Sequence, residues 1–284
     1  MKYAIVSDLH ANLTAWRAVL RDITQQRADR ILCLGDAVGY GPQPAEVLES
    51  LYAEAWRVAL GNHDAVLAGR MTPDGFQPLA REILERTRVR VARDALRWIS
   101  TWPLQLVGRT FRCAHASCAA PARFDYVEEP ADAHAAWSAA PEPLMFIGHT
   151  HRPALFVLGP SGTPHRLDPQ DFELEPGKRY LVNVGSVGYP RDGDPRASYV
   201  LYDEEARAVW FRRVAFDLDA CRLAIAAYGW PEAAAAYLNA DPLLAHRPIR
   251  EVVSFRPPER EEDGAQGAPD TEDVEQLRGH MRRW

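Results

Sequence analysis

Lysine is almost missing from this chain. Of its 33 basic residues only Lys2 and Lys178 are lysines, and the rest are arginines. That bias is compositional first, with a weaker pointer to phosphate contacts. An excess of positive charge is missing too: 33 basic against 39 acidic side chains leave a net −6. This excludes a general nucleic-acid coat or a polybasic membrane binder, while leaving room for a local basic patch. Cysteine is scarce: Cys33, Cys113, Cys118 and Cys221 show no CxxC spacing. Cys33 and Cys113 lie inside apolar runs and read as small buried hydrophobes, which points to a reducing cytosol. No stretch of about 18 apolar residues exists, so no transmembrane helix is expected. The N-terminus reaches Asp8 too early for a secretory core. A cytoplasmic protein with no membrane partner is the expectation.

What is present is enough apolar material for a large core. The chain has 284 residues, 47% of them hydrophobic, which suits one large domain with an appendage or two small domains. Residues 3–7, 30–35 and 57–60 read as strands. Between them lie helical patterns, one capped by Asn12 and carrying Leu13, Trp16, Val19, Leu20 and Ile23, the other carrying Val47, Leu48, Leu51 and Tyr52. Strands separated by helices imply a parallel sheet. Residues 76–102 look helical, 109–114 strand-like, and 116–143 form a long connection with a helix near 132–139; such long loops are often functional. The second half offers strands at 144–148, 154–158, 180–184, 198–203 and 209–214, whose short connections suggest a largely antiparallel or mixed sheet. Helices are expected at 219–228 and 232–239. From Arg256 onward, five arginines and eight acids give −3, half the net charge, and this tail is expected to be disordered. The implied organisation is a domain over 1–215, a helical appendage over 216–255 and an acidic tail over 256–284. No internal repeat is present.

Histidine carries the chemical signal. Five of the nine histidines fall at strand ends beside glycines, together with two aspartates and an asparagine. The groups are Asp8-Leu9-His10, Gly35-Asp36, Gly61-Asn62-His63-Asp64, His115 and Gly148-His149-Thr150-His151. Residues two apart at a strand end face the same side, so Asp8 with His10 and His149 with His151 converge in pairs. In open α/β sheets ligands gather beyond the carboxyl ends of strands, where these residues fall. Imidazoles, carboxylates and an amide oxygen suit manganese, iron, zinc, nickel or cobalt. They suit neither a thiolate zinc site nor an all-oxygen calcium cage.

The ordered series of five motifs resembles the calcineurin-like metallophosphoesterase superfamily over roughly residues 1–215. Asn183-Val184-Gly185-Ser186-Val187-Gly188, with Pro190-Arg191-Asp192-Gly193-Asp194, is similar to its small prokaryotic phosphodiesterase branch, which is related to diadenosine tetraphosphatases. The resemblance implies an α/β (α+β) fold, a four-layer αββα sandwich of two mixed β-sheets flanked by helices. It also implies two divalent metal ions, manganese first. Asp8, His10 and His151 would hold one ion, Asn62, His115 and His149 the other, with Asp36 bridging and His63 as general acid. Two ions about 3.5–4 Å apart can share a water as a bridging hydroxide and clamp phosphate oxygens during in-line attack. Asp64 either orients His63 or is a surface aspartate at a helix start. Asn12 and Arg191 are candidate substrate contacts, with a helix cap and a solvated loop arginine as their plain alternatives. Three departures stand out. Ala11 and Ala116 replace glycines common in the superfamily, tolerable where the local φ is negative. Gly39 and Tyr40 replace an Asp-Arg pair of its protein phosphatases, which argues against a phosphoprotein substrate.

The expected activity is hydrolysis of a small phosphoester, with a nucleotide or dinucleoside polyphosphate as the favoured kind. A nuclease acting on DNA or RNA is possible but disfavoured by the acidic balance. A catalytically idle binding scaffold, usually marked by lost ligands, is the other alternative, and a homo-oligomer is open.

Overall fold

The structure, a computed structural model, describes residues 1–236 together with Leu238 and Phe255. The expected acidic tail and most of the stretch after 236 lie outside the described residues.

Side-chain alternation decides the layering. Along β1 (Lys2–Val6), Tyr3 and Ile5 belong to one apolar cluster and Ala4 and Val6 to another, and all four are buried. A pleated strand buried on both sides must be covered on both sides. β1 is central in a six-stranded sheet of order β3 (Arg57–Val58), β2 (Arg30–Cys33), β1, β11 (Ala197–Asp203), β12 (Ala208–Val214), β9 (Phe172–Glu173). The second six-stranded sheet runs β4 (Gln105–Val107), β5 (Phe111–Ala114), β6 (Leu144–Ile147), β10 (Arg179–Asn183), β7 (Ala154–Leu158), β8 (Pro164–Leu167). Tyr3, Ile5, Leu32, Phe111, Phe146 and Val182 fill the space between the sheets, with Tyr3 and Phe111 meeting edge to face at 5.1 Å. Ala4, Val6 and Cys33 look outward to helices α1 (Leu13–Gln25), α2 (Pro44–Glu54), α4 (Pro78–Arg88) and α5 (Arg93–Ser100). On the far side, Ala133, Ala136 and Trp137 of α6 (Pro130–Ala139) cover Met145, Ile147, Phe156 and Leu181. The result is the four-layer αββα sandwich.

Both sheets are mixed. β1 pairs parallel with β2, and β2 with β3, while β11 and β12 join antiparallel. β6 is parallel to both β5 and β10. The strands of the second half do not form one sheet, as their short connections suggested; β11 and β12 cross over to the sheet of β1, where β11 pairs with β1 and β12 with β11. Residues 76–102 are two helices, not one. Ala80, Thr87, Val91, Ala95 and Ile99 continue one buried stripe through the break, so periodicity alone cannot show it. β8 and β9 went unread because they are edge strands with mostly exposed side chains, without apolar alternation. Farther on, α7 (Leu218–Ala227) buries Cys221 and Ile225 in the same cluster as α1. No helix among the described residues is long and apolar enough to cross a membrane.

Candidate metal centre

Six parallel-running strands aim their carboxyl ends at one place. The loops after β1, β2 and β3 meet those after β5, β6 and β10, and the backbone stitches them together. Asp8, His10 and Ala11 donate N–H to the carbonyls of Gly35, Asp36 and Ala37. Val187 and Gly188 donate to those of Ser7 and Asp8, joining the two sheets. These loops are strained. Asp8 (φ 54), His10 (φ 47), Asp36 (φ 51), His149 (φ 67) and His151 (φ 60) all sit in the left-handed region. Each costs roughly 1–2 kcal/mol for a residue with a Cβ, and such strain persists only where the surroundings over-determine it. Ala11 shares it at φ 52, so the condition under which its methyl group was tolerable, a negative φ, is not met. Close approach explains two glycines: a Cβ at Gly61 would collide with the Asp36 carboxylate, and one at Gly148 with Ser7 and Asp8.

Three ligand-spaced groups result: Asp8, His10 and His151; His10, Asp36 and His63; Asp36, His115 and His149. Asp36 belongs to two of them. His151 Nε2 lies 3.0 Å from His10 Nε2 and 3.2 Å from Asp8 Oδ1. His115 Nε2 lies 3.0 Å from His149 Nδ1, 3.1 Å from Asn62 Oδ1 and 3.4 Å from Asp36 Oδ2. All seven expected ligands are therefore brought together, every one of them buried.

The donor set fits a cation. His10, His115 and His151 each place Nδ1 against a backbone carbonyl, of Val38 (2.9 Å), Leu34 (3.2 Å) and Tyr189 (2.6 Å). Nδ1 is then the N–H, and each Nε2 turns a lone pair inward, as second-sphere hydrogen bonds do for metal-bound histidines. The Nε2 lone pairs of His10 and His151 face each other, and Asp8 Oδ1 is buried without a hydrogen-bond partner. Such an arrangement is repulsive unless positive charge lies between. Electrostatics agree. Burial would raise the Asp8 and Asp36 carboxyls, yet the surrounding imidazoles hold both low. Burial would lower His115, yet Asp36 and Asp8 lift it to about 9, so the carboxylates favour positive charge at its Nε2, supplied by a proton or by a cation that takes the proton's place.

His63 stands apart from the two groups that Asp8 and His115 anchor. Its backbone N–H donates to Asp36 Oδ1 at 2.9 Å, its Nε2 is 3.9 Å from Asp36 Oδ2, and its Nδ1 is buried without a partner. Burial lowers it to about 4. Asp64 does not orient His63, nor is it on the surface. Fully buried, it accepts the N–H of Asp36 (2.7 Å), Gly61 (3.1 Å), Ala37 (3.1 Å) and Val38 (3.3 Å). It therefore shapes the loop that carries Asp36, a role with no sequence signal beyond its place at the start of α3 (Asn62–Leu67).

Asn12 takes the helix-cap role: Oδ1 accepts from Ala15 N–H and Nδ2 donates to Gly188 O. Arg191 is not a solvated loop arginine. It is 8% exposed, donates its backbone N–H to His151 O and bonds the Tyr40 hydroxyl at 3.2 Å. Two residues of the 183–188 stretch act as fasteners. Asn183 donates to Gly148 O and Thr150 Oγ1, and Ser186 donates to Asp8 O. Sequence reasoning missed Tyr126, whose ring lies 4.2 Å from that of His149; the long connection was its only signal.

A buried cage of inward-facing imidazoles and carboxylates on an αββα sandwich is suited to hold divalent metal. Residues 1–207 match the calcineurin-like phosphoesterase superfamily domain, and the chain belongs to that superfamily. It is 33% identical over 224 residues to an uncharacterized protein of Methanocaldococcus jannaschii, covering 76% of this chain and 88% of that one. The crystal structure of a metallophosphoesterase from Sphaerobacter thermophilus is similar at 35% identity and TM-score 0.74, over 84% of this chain and 98% of that chain. A hypothetical protein from Pyrococcus horikoshii shares the fold at 19% identity and TM-score 0.67, over 84% and 97% of the two chains.

Proposed function

We propose that this protein is a binuclear phosphoesterase acting on a small phosphoester, a nucleotide or dinucleoside polyphosphate being the favoured substrate. The observation that supports two ions is that Asp36 Oδ2 lies 3.7 Å from His10 Nε2 and 3.4 Å from His115 Nε2, two imidazoles that belong to different ligand groups. Asp8, His10 and His151 would hold one ion, Asn62, His115 and His149 the other, and Asp36 both. Manganese is the first choice, and iron, zinc, nickel or cobalt also suit this donor set. Divalent ions bound there would neutralise phosphate charge and acidify a water for in-line attack.

The chain's own residues do the rest. The left-handed loops hold the donors rigid, and phosphoryl transfer asks mainly for such positioning and charge neutralisation. Arg191 presents a buried guanidinium to the phosphoryl oxygens. His63 stands beside the ligand Asn62 to give a proton to the departing alkoxide. Its imidazole is neutral before substrate arrives, and an incoming phosphate anion opposes the burial that keeps it so. The four cysteines are free and buried, in keeping with a reducing cytosol as the place of action.

The idle-scaffold alternative is disfavoured because all seven ligand positions are filled by ligating residue types. Turnover of bis-p-nitrophenyl phosphate with added Mn²⁺ tests the reading. A screen across nucleotides, cyclic nucleotides, dinucleoside polyphosphates and short nucleic acids then separates phosphoesterase from nuclease. A metal-loaded protein that hydrolyses none of these would be a scaffold.

A further inference from the structure

Tyr126, Tyr40 and Arg191 are among the side chains that border the ligand cage without being ligands. Tyr126 comes from the long 116–143 connection. Its ring lies against His149 with centroids 4.2 Å apart and planes 36° apart. Burial pushes its hydroxyl up to about 12, while the Arg191 charge on the loop after β10 opposes that rise. Tyr40 packs on His10 at 4.7 Å and on His63 at 4.9 Å. Arg191 bonds the Tyr40 hydroxyl through Nη2, and its guanidinium carbon lies 5.6 Å from the Tyr40 ring. Arg191 Nε is buried with no hydrogen-bond partner, an unspent donor on a side chain only 8% exposed. A buried donor without a partner is destabilising, and a ligand that accepts from it recovers that cost.

We propose that Tyr126, Tyr40 and Arg191 form a clamp for phosphoryl oxygens over the ligand cage. Tyr126 touches the substrate, and Tyr40 acts as a positioning residue that orients the Arg191 guanidinium. This rests on the phosphoesterase reading. A tetrahedral phosphoryl group cannot turn every oxygen toward the cage, and those facing away need donors. A guanidinium supplies a fixed fork of them, and a phenol held by stacking adds another at little entropic cost. The clamp therefore selects esters with at least one unesterified, anionic oxygen turned outward, and it rejects triesters.

Inorganic phosphate titrated calorimetrically into the Mn²⁺-loaded protein is the test, with manganese content measured alongside. Tyr126→Phe keeps the ring on His149, so its metal content should match wild type. Its phosphate Kd should rise roughly tenfold, the equivalent of about 1.4 kcal/mol. Tyr40→Phe should also weaken phosphate binding, and that loss should vanish in an Arg191→Met background, because Tyr40 acts through Arg191. An unchanged Kd in Tyr126→Phe, or a full Tyr40→Phe penalty without the arginine, overturns the clamp. A wild type that binds phosphate through these residues yet cleaves no ester keeps the clamp and removes the phosphoesterase reading. A wild type that cleaves esters with Tyr126→Phe unaffected removes the clamp alone.

Discussion

Asp64→Asn is the substitution whose effect the structure predicts most directly. The carboxylate serves four backbone amides: Oδ2 takes those of Asp36 (2.7 Å) and Gly61 (3.1 Å), and Oδ1 those of Ala37 (3.1 Å) and Val38 (3.3 Å). Asparagine keeps the shape but turns an NH2 group toward one of these pairs, so donor meets donor. Two charge-assisted hydrogen bonds are lost, worth roughly 1.5–3 kcal/mol each. Part returns, because burial and then Asp36 push the Asp64 carboxyl up to about 7, and the amide carries no such burden. A net loss of about 3 kcal/mol follows, or roughly 6–12 °C in Tm for a domain of this size. The assay is thermal unfolding of chelator-treated protein, since bound metal would add its own stabilisation and hide the difference. Metal affinity should fall as well, because the loosened loop carries Asp36. A variant melting within about 2 °C of wild type, with undiminished metal affinity, would refute the role given to Asp64.

Asp36→Ala should remove both ions, and metal analysis showing one retained would contradict the bridge. His63→Ala should keep both ions while losing rate, most severely with poor leaving groups, where proton donation is worth about 10²–10⁴-fold; loss of metal instead would make His63 a ligand, as its spacing to His10 and Asp36 permits. Asn12→Ala should cost about 1–2 kcal/mol through the lost helix cap. KM for a small ester should stay put in that variant, and a rise would restore Asn12 as a substrate contact.

The strand-end motifs were legible because their signal is local. Asp8, His10, His149 and His151 follow apolar runs, which marks them as strand-end residues. The strand period does not aim them, since all four have left-handed backbone, and His149 and His151 part to different ligand groups. Asn12 was readable as a cap because that signal is local too. Much less could be said of residues whose partners are far away. Whether Asp64 was a surface residue or a buried one depended on amides 26 to 28 positions earlier. Whether Arg191 was solvated depended on Tyr40, 151 residues distant. The break between α4 and α5 was hidden because their buried stripe stays in phase across it.

By itself the sequence determined the chemistry: a hard-to-borderline ligand set, placed at strand ends, in a chain without the charge of a nucleic-acid coat. Tertiary structure alone decided how that chemistry is arranged. It sent β11 and β12 to the sheet of β1, brought the His149 amide to Asp8 across 141 residues, turned three Nε2 atoms inward by engaging each Nδ1, and set Tyr126, Tyr40 and Arg191 beside the cage. The physical reason is range. Propensity and spacing act over a few residues, whereas burial, lone-pair orientation and strain are settled only when distant segments exclude water from one another.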